Sequence, residues 1–160
     1  MIVIADTGGI VAAMDPGEPQ HDQFRETLES ARNAFVTPLV IAEVHYLLSA
    51  AGELLAASDF LENVTDGFFD VADPRPEDYG TARALIKKYE GKMERKRRKP
   101  GSLDLADAMN VVVAGSLGTN LVVATDQDYR VVQPLSGHGY FAILPADAEP
   151  DRAVDVGGSA

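Results

Sequence analysis

At 160 residues, with 46% hydrophobic content, the chain is sized for one globular domain with a substantial core. A net charge of -11 repels polyanions, so any contact with nucleic acid must rest on local charge. The lack of cysteine excludes disulfides, thiolate metal sites and cysteine catalysis. With no basic leader and no uncharged apolar stretch of membrane-spanning length, the expectation is a soluble, cytoplasmic protein that does not enter membranes.

Ile2 to Ala5 predict a buried strand that stops at Asp6-Thr7-Gly8-Gly9, where glycines hand over to a short helix through Ala13. After Asp15-Pro16-Gly17 a helix is expected from near Glu18 to Arg32, with Phe24, Leu28 and Ala31 on one apolar face. Ala34 to Val36 read as a strand. Thr37 then supplies an N-cap and Pro38 the first helical position, which places Glu43 on a helix that ends near Gly52. A further helix is expected over Glu53 to Val64, a strand over Gly67 to Val71 with Phe68 and Phe69 packed, a turn from Asp73 to Glu77, and a helix from Asp78 to Glu90.

The sharpest change of composition follows, from Lys92 to Lys99, where six of eight residues are basic. In so acidic a chain these residues (Lys92, Arg95, Lys96, Arg97, Arg98 and Lys99) form the evident positive patch and are candidates for binding an RNA backbone. Ser102 is placed to cap a helix from Leu103 to about Gly115. Within it Leu105, Ala108, Met109, Val112 and Val113 form the core stripe, and Asp107 interrupts the apolar run. Asn120 to Ala124 and Gly139 to Leu144 supply the last strands, and the acidic tail from Pro145 to Ala160 reads as disordered. The folded domain is thus expected over residues 1–144 and the tail over 145–160.

Strands alternating with helices imply an α/β fold with a mostly parallel sheet covered on both faces. In such sheets ligands bind beyond the carboxyl ends of the strands. Asp6 and Asp126 fall at such ends, and Glu43 and Asp107 lie early in helices that follow short loops. Each of the four interrupts or closes an apolar run, where an isolated carboxylate is expensive unless compensated. Either each has a local partner, such as a helix amide for Asp6 or a turn for Asp126, or the four converge on a cation. Oxygen-only ligands suit Mg2+ or Mn2+. Thr7 is placed to orient the Asp6 carboxylate or cap the helix. Asp104, Thr125 and Asp128 are accessory candidates beside the acids, whereas His21, His45 and His138 lack the paired spacing of a zinc site.

Asp6-Thr7, Thr37-Pro38 with Ala42-Glu43-Val44, Leu103-Asp104-Leu105-Ala106-Asp107-Ala108 and Thr125-Asp126-Gln127-Asp128-Tyr129 together resemble the motifs of PIN domains. In order and separation the likeness is to VapC-type ribonuclease toxins, and it spans Met1 to Leu144. It implies a three-layer α/β/α sandwich and an endoribonuclease that uses one or two Mg2+ or Mn2+ ions to leave 5'-phosphate and 3'-hydroxyl ends. By position, Asp6, Glu43, Asp107 and Asp126 would be its catalytic and metal-binding acids. The resemblance further implies a cognate VapB-like antitoxin, a homodimer, and structured RNA such as tRNA or rRNA as substrate. Ala124 stands where members often carry Thr or Ser, with Thr125 adjacent, and the basic insertion before Ser102 is longer than usual.

Four other readings compete. A non-toxin PIN nuclease of RNA processing and an inactive RNA- or metal-binding module keep the fold; four complete acids argue against the second. A receiver-like signalling domain needs paired acids after the first strand and a late lysine, yet Thr7-Gly8-Gly9 follow Asp6 and no lysine follows Lys99. A haloacid-dehalogenase-like phosphatase needs an Asp at the position of Gly8.

Overall fold

Side chains alternate across the first strand, Ile2–Ala5 (β1), and this builds two cores. Val3 and Ala5 pack into one apolar cluster while Ile4 packs into another on the opposite face. The computed structural model describes residues 1–92 and 103–148. Its sheet has five parallel strands: β1, β2 (Asn33–Val36), β3 (Asp70–Val71), β4 (Leu121–Val123) and β5 (Ala142–Leu144), in the order β3-β2-β1-β4-β5. Helices α1 (Thr7–Met14), α2 (His21–Ser30), α3 (Pro38–Ala50) and α4 (Leu54–Thr65) supply the cluster with Val3 and Ala5. Helices α5 (Pro76–Tyr89) and α6 (Leu105–Leu117) supply the other. The result is the expected three-layer α/β/α sandwich. Among the described residues no helix is long and apolar enough to cross a membrane.

From β1 the chain builds outward to β2 and β3, then crosses back to lay β4 on the other side of β1. The strand order therefore reverses between β1 and β4, and the crevice at their carboxyl ends is the place where such sheets bind ligands. Two glycines let α1 start there. A Cβ on Gly8 would collide with the Thr125 hydroxyl, and one on Gly9 with the Val123 carbonyl. The beginning of α1 is thereby held directly against the end of β4.

Several boundaries differ from expectation. The helix carrying Asp107 begins at Leu105 with Asp104 as its N-cap, accepting the Asp107 amide at 2.9 Å. Leu103 lies ahead of it and is buried, and the expected cap Ser102 falls outside the described residues. Leu105 is exposed and Ala106 takes the inward position. The helix runs on to Leu117, where Gly118, at φ 67°, adopts the left-handed conformation that ends it. The third strand shrinks to two residues, with Phe69 buried ahead of it and Phe68 substantially exposed. The packed domain extends past Leu144: Asp147 accepts the Ile143 amide at 2.8 Å and pairs with Arg130, also at 2.8 Å. The predicted disorder therefore does not apply to 145–148, and 149–160 lie outside the described residues. Of the basic run, Lys92 is exposed with its ammonium 5.9 Å from the centre of the Tyr89 ring, while Arg95, Lys96, Arg97, Arg98 and Lys99 lie outside the described residues.

Candidate active site

Asp6 directly follows β1 and occupies the N-cap position of α1, yet its carboxylate makes no capping bond to the helix. Continuing the alternation of β1, it points to the same side as Ile4, toward α6. There its Oδ1 accepts from Asn110 Nδ2 at 2.9 Å and from the Tyr129 hydroxyl at 3.2 Å. Burial pushes the Asp6 pKa up to about 6, with the charges of Asp104 and Asp126 adding to the shift; the Thr7 amide and the Tyr129 hydroxyl oppose it. Of the local explanation expected for this residue only the bond from the Thr7 amide is present, and the carboxylate caps no amide further into α1. What remains is a buried acid whose charge is disfavoured where it stands.

Asp107 is half-buried in the first turn of α6, and its Oδ1 accepts from the Tyr129 hydroxyl at 3.3 Å. One phenolic oxygen therefore lies within hydrogen-bonding distance of both Asp6 and Asp107. Burial, followed by the charges of these two acids, holds the Tyr129 pKa well above its usual value, so the hydroxyl stays a proton donor. Its ring is fixed edge-to-face on Phe141, centroids 5.7 Å apart. Asp126 is half-buried and caps the short 3-10 helix Gln127–Arg130 by accepting the Asp128 amide at 2.9 Å. The turn-forming role expected as its alternative is real. It coexists with proximity, since Asp126 acts on the Asp6 charge.

Glu43 stands apart from these three acids. Helix α3 buries the narrow stripe Val40, Val44 and Leu48, so Glu43 lies on an exposed face. Its Oε2 accepts from the Thr7 hydroxyl at 2.7 Å. The Thr7 hydroxyl thus orients Glu43 and ties the start of α1 to α3, while the Thr7 amide bonds Asp6. The Asp104 carboxylate fixes the backbone of Asp107, and the backbone amide of Asp128 donates to the Asp126 carboxylate and so holds that side chain. Thr125 is exposed against Gly8. His21 and His138 engage the Ala12 carbonyl and Ser136, and His45 is exposed on α3.

Asp6 and Asp107 therefore meet on one hydroxyl beside the switch point of a parallel sheet, Asp126 is near enough to act on the Asp6 charge, and Glu43 is tied to Thr7, the residue after Asp6. Within that framework the family model for "PIN domain" matches residues 3–133. The chain belongs to the PIN domain family. Over 145 residues, 89% of this chain and all of the relative, it is 27% identical to Ribonuclease VapC26 of Mycobacterium tuberculosis. This PIN domain superposes on M. tuberculosis VapC20, a sarcin-ricin loop cleaving toxin, with a TM-score of 0.65 at 17% identity, covering 79% of this chain and 91% of that one. Against VapBC2 of Rickettsia felis, solved bound to a DNA fragment from its promoter, the TM-score is 0.58 at 16% identity, covering 82% and 93%. These two likenesses bear on the fold.

The PIN site holds oxygen donors alone, a chemistry that fits a hard divalent ion. As the side chains stand, no group of three or more Asp, Glu or His among the described residues is placed to hold one ion. A Mg2+ site does not require three, because that ion keeps several waters and commonly takes one or two carboxylates together with substrate phosphate. Asp6 and Asp107, sharing a hydroxyl, are such a pair.

The sequence reading missed Asn110 and Tyr129. Asn110 is 1% exposed, and its Oδ1 has no hydrogen-bond partner among the described residues. Its signal was present, since an amide three residues after Asp107 breaks the run Ala108 to Ala114 and a buried amide needs partners. Tyr129 was visible only as part of a motif, and nothing local marks its hydroxyl as reaching β1.

Proposed function

We propose that this PIN protein is a divalent-metal-dependent endoribonuclease, the toxin of a VapBC-type pair, which hydrolyses RNA to 5'-phosphate and 3'-hydroxyl ends. The observation that carries the reading is Asp6: a buried acid at a helix start that declines the capping bond and meets Asp107 on a shared hydroxyl at the sheet's switch point. Such an acid gains by meeting a cation, and Asp6 and Asp107 would hold Mg2+ or Mn2+, with Glu43 and Asp126 completing the set through water. One or two ions, when bound, supply an activated water and neutralise charge on the scissile phosphate.

The chain's own residues do the rest. Thr7 holds the Glu43 carboxylate, which would accept a proton from water attacking the phosphorus. The Asp104 and Asp126 caps fix the two backbone segments that carry Asp107 and the Asp126–Asp128 turn. A crevice lined by acids repels RNA until a cation offsets them, which reconciles the net charge of -11 with this substrate class. The basic residues from Lys92 to Lys99 would grip the RNA backbone. Structured RNA, tRNA or rRNA, is the proposed target, in keeping with the sarcin-ricin loop named for VapC20.

The partners proposed are a VapB-like antitoxin and a second copy of the chain, in the cytoplasm. Names of the relatives support the antitoxin.

The test is metal-dependent cleavage of total bacterial RNA by partner-free protein, with new 5'-phosphate ends sequenced for wild type, Asp6→Ala and Asp107→Ala. Discrete cuts that need Mg2+ or Mn2+ and vanish in both variants are expected. Cuts that persist in the variants, or no cuts from folded wild type, would refute the proposal.

A further inference from the structure

We propose that Asn110 and Tyr129 are positioning residues that hold the Asp6 and Asp107 carboxylates together, so that an arriving cation meets both at once. This role rests on the metal-dependent reading of the site, and it adds to the shared hydroxyl the Asn110 amide that bonds both Asp6 and Tyr129.

Asn110 and Tyr129 are 1% and 2% exposed. A leucine and a phenylalanine would fill the same space without burying polar atoms, so packing alone does not account for either residue. Asn110 Nδ2 has two hydrogens and spends both: one on Asp6 Oδ1 at 2.9 Å and one on the Tyr129 oxygen at 3.0 Å. Among the described residues its Oδ1 is left without a partner. Turning the amide over would give that oxygen a new place but set it against the Asp6 carboxylate, acceptor facing acceptor. The retained orientation sacrifices one end of the amide to keep two donors on the site.

The Tyr129 hydroxyl accepts from Asn110 and has a single proton to give. Asp6 Oδ1 and Asp107 Oδ1 stand at 3.2 and 3.3 Å from it, so either can take that proton with almost no movement of heavy atoms. Two like charges that would otherwise separate are held around one hydroxyl. The ring cannot follow a retreating carboxylate, because it is packed edge-to-face on Phe141. Tyr129 also belongs to the 3-10 helix that Asp126 caps, so the same side chain references β1, α6 and the Asp126 turn to one another. Partners of metal-binding acids at this remove commonly change metal affinity 10- to 100-fold when removed.

Tyr129→Phe isolates the hydroxyl, since the ring and its packing on Phe141 remain. Asn110→Leu removes both amide donors at similar volume. The experiment measures Mn2+ dissociation constants by calorimetry, thermal midpoints in chelator, and single-turnover kcat and KM on the RNA cut by wild type. Tyr129→Phe is expected to fold, to bind Mn2+ about tenfold or more weakly and to lose kcat correspondingly, with KM for RNA within about twofold of wild type. Asn110→Leu is expected to follow the same pattern wherever it folds. Tyr129→Phe that binds Mn2+ and cleaves within about twofold of wild type overturns the proposal, and so does a lower thermal midpoint with unchanged Mn2+ affinity. Wild type that binds no Mn2+ overturns the parent reading as well, so the two failures are distinguishable.

Discussion

Replacing Asp6 with Asn tests the physical core of the site without relying on catalysis. The folded protein carries this carboxyl at a pKa of about 6 against an ordinary value of 3.8. A group that binds its proton more tightly when folded favours the fold at low pH, and that support is lost as pH rises through the folded pKa. The window is therefore from about pH 4 to about pH 6. At pH 7 the ionised, buried Asp6 leaves the fold about 3 kcal/mol less stable than an unperturbed carboxyl would. Asparagine removes the charge, and its oxygen still accepts from Asn110 and Tyr129. It also gives up one acceptor, weakening the bond from the Thr7 amide, at about 1 kcal/mol. The net expectation is a gain of about 2 kcal/mol at pH 7, or about 4–8 °C in thermal midpoint for a domain of this size. Melting in chelator from pH 4 to pH 8 reads this directly, and the advantage should vanish or reverse near pH 4. Saturating Mn2+ should close the gap from the wild-type side, by about 2.7 kcal/mol at a hundredfold excess over the dissociation constant. A variant less stable than wild type at pH 7, or a difference that ignores pH, would refute the reasoning.

Thr7→Ala removes the donor that holds the exposed Glu43. It should cost about 1 kcal/mol or less in stability but slow single-turnover cleavage about tenfold, and equal rates would remove Glu43 from the mechanism. Replacing Arg95, Lys96, Arg97 and Arg98 by Ala should weaken RNA binding and flatten the slope of log affinity against log salt by about 0.7 for each phosphate no longer neutralised. Fluorescence titrations at several salt concentrations check this, with an unchanged slope counting against those residues.

Much of the framework is local and therefore legible in sequence. The apolar run Ile2 to Ala5, the Thr37-Pro38 helix start and the glycines after Asp6 act through neighbours a few residues away, and the structure keeps each of them. Thr37 accepts the Val40 amide as an N-cap should. Where local signals competed, sequence chose less well: Ser102 and Asp104 are both plausible caps, and Asp104 makes the observed one. Glu43 could not be placed from periodicity, because α3 is apolar around much of its girth and only packing decided which stripe faced inward.

The sequence by itself determined the α/β class, and it singled out four candidate acids as oxygen donors. Tertiary structure alone decided which of those acids meet, that Thr7 serves Glu43, and that Asn110 and Tyr129 stand behind the site. Asp6 lies 104 residues from Asn110 and 123 from Tyr129. Hydrogen bonds across such separations have no sequence periodicity; they exist only once the β1–β4 register and the packing of α6 bring the donors to the carboxylate.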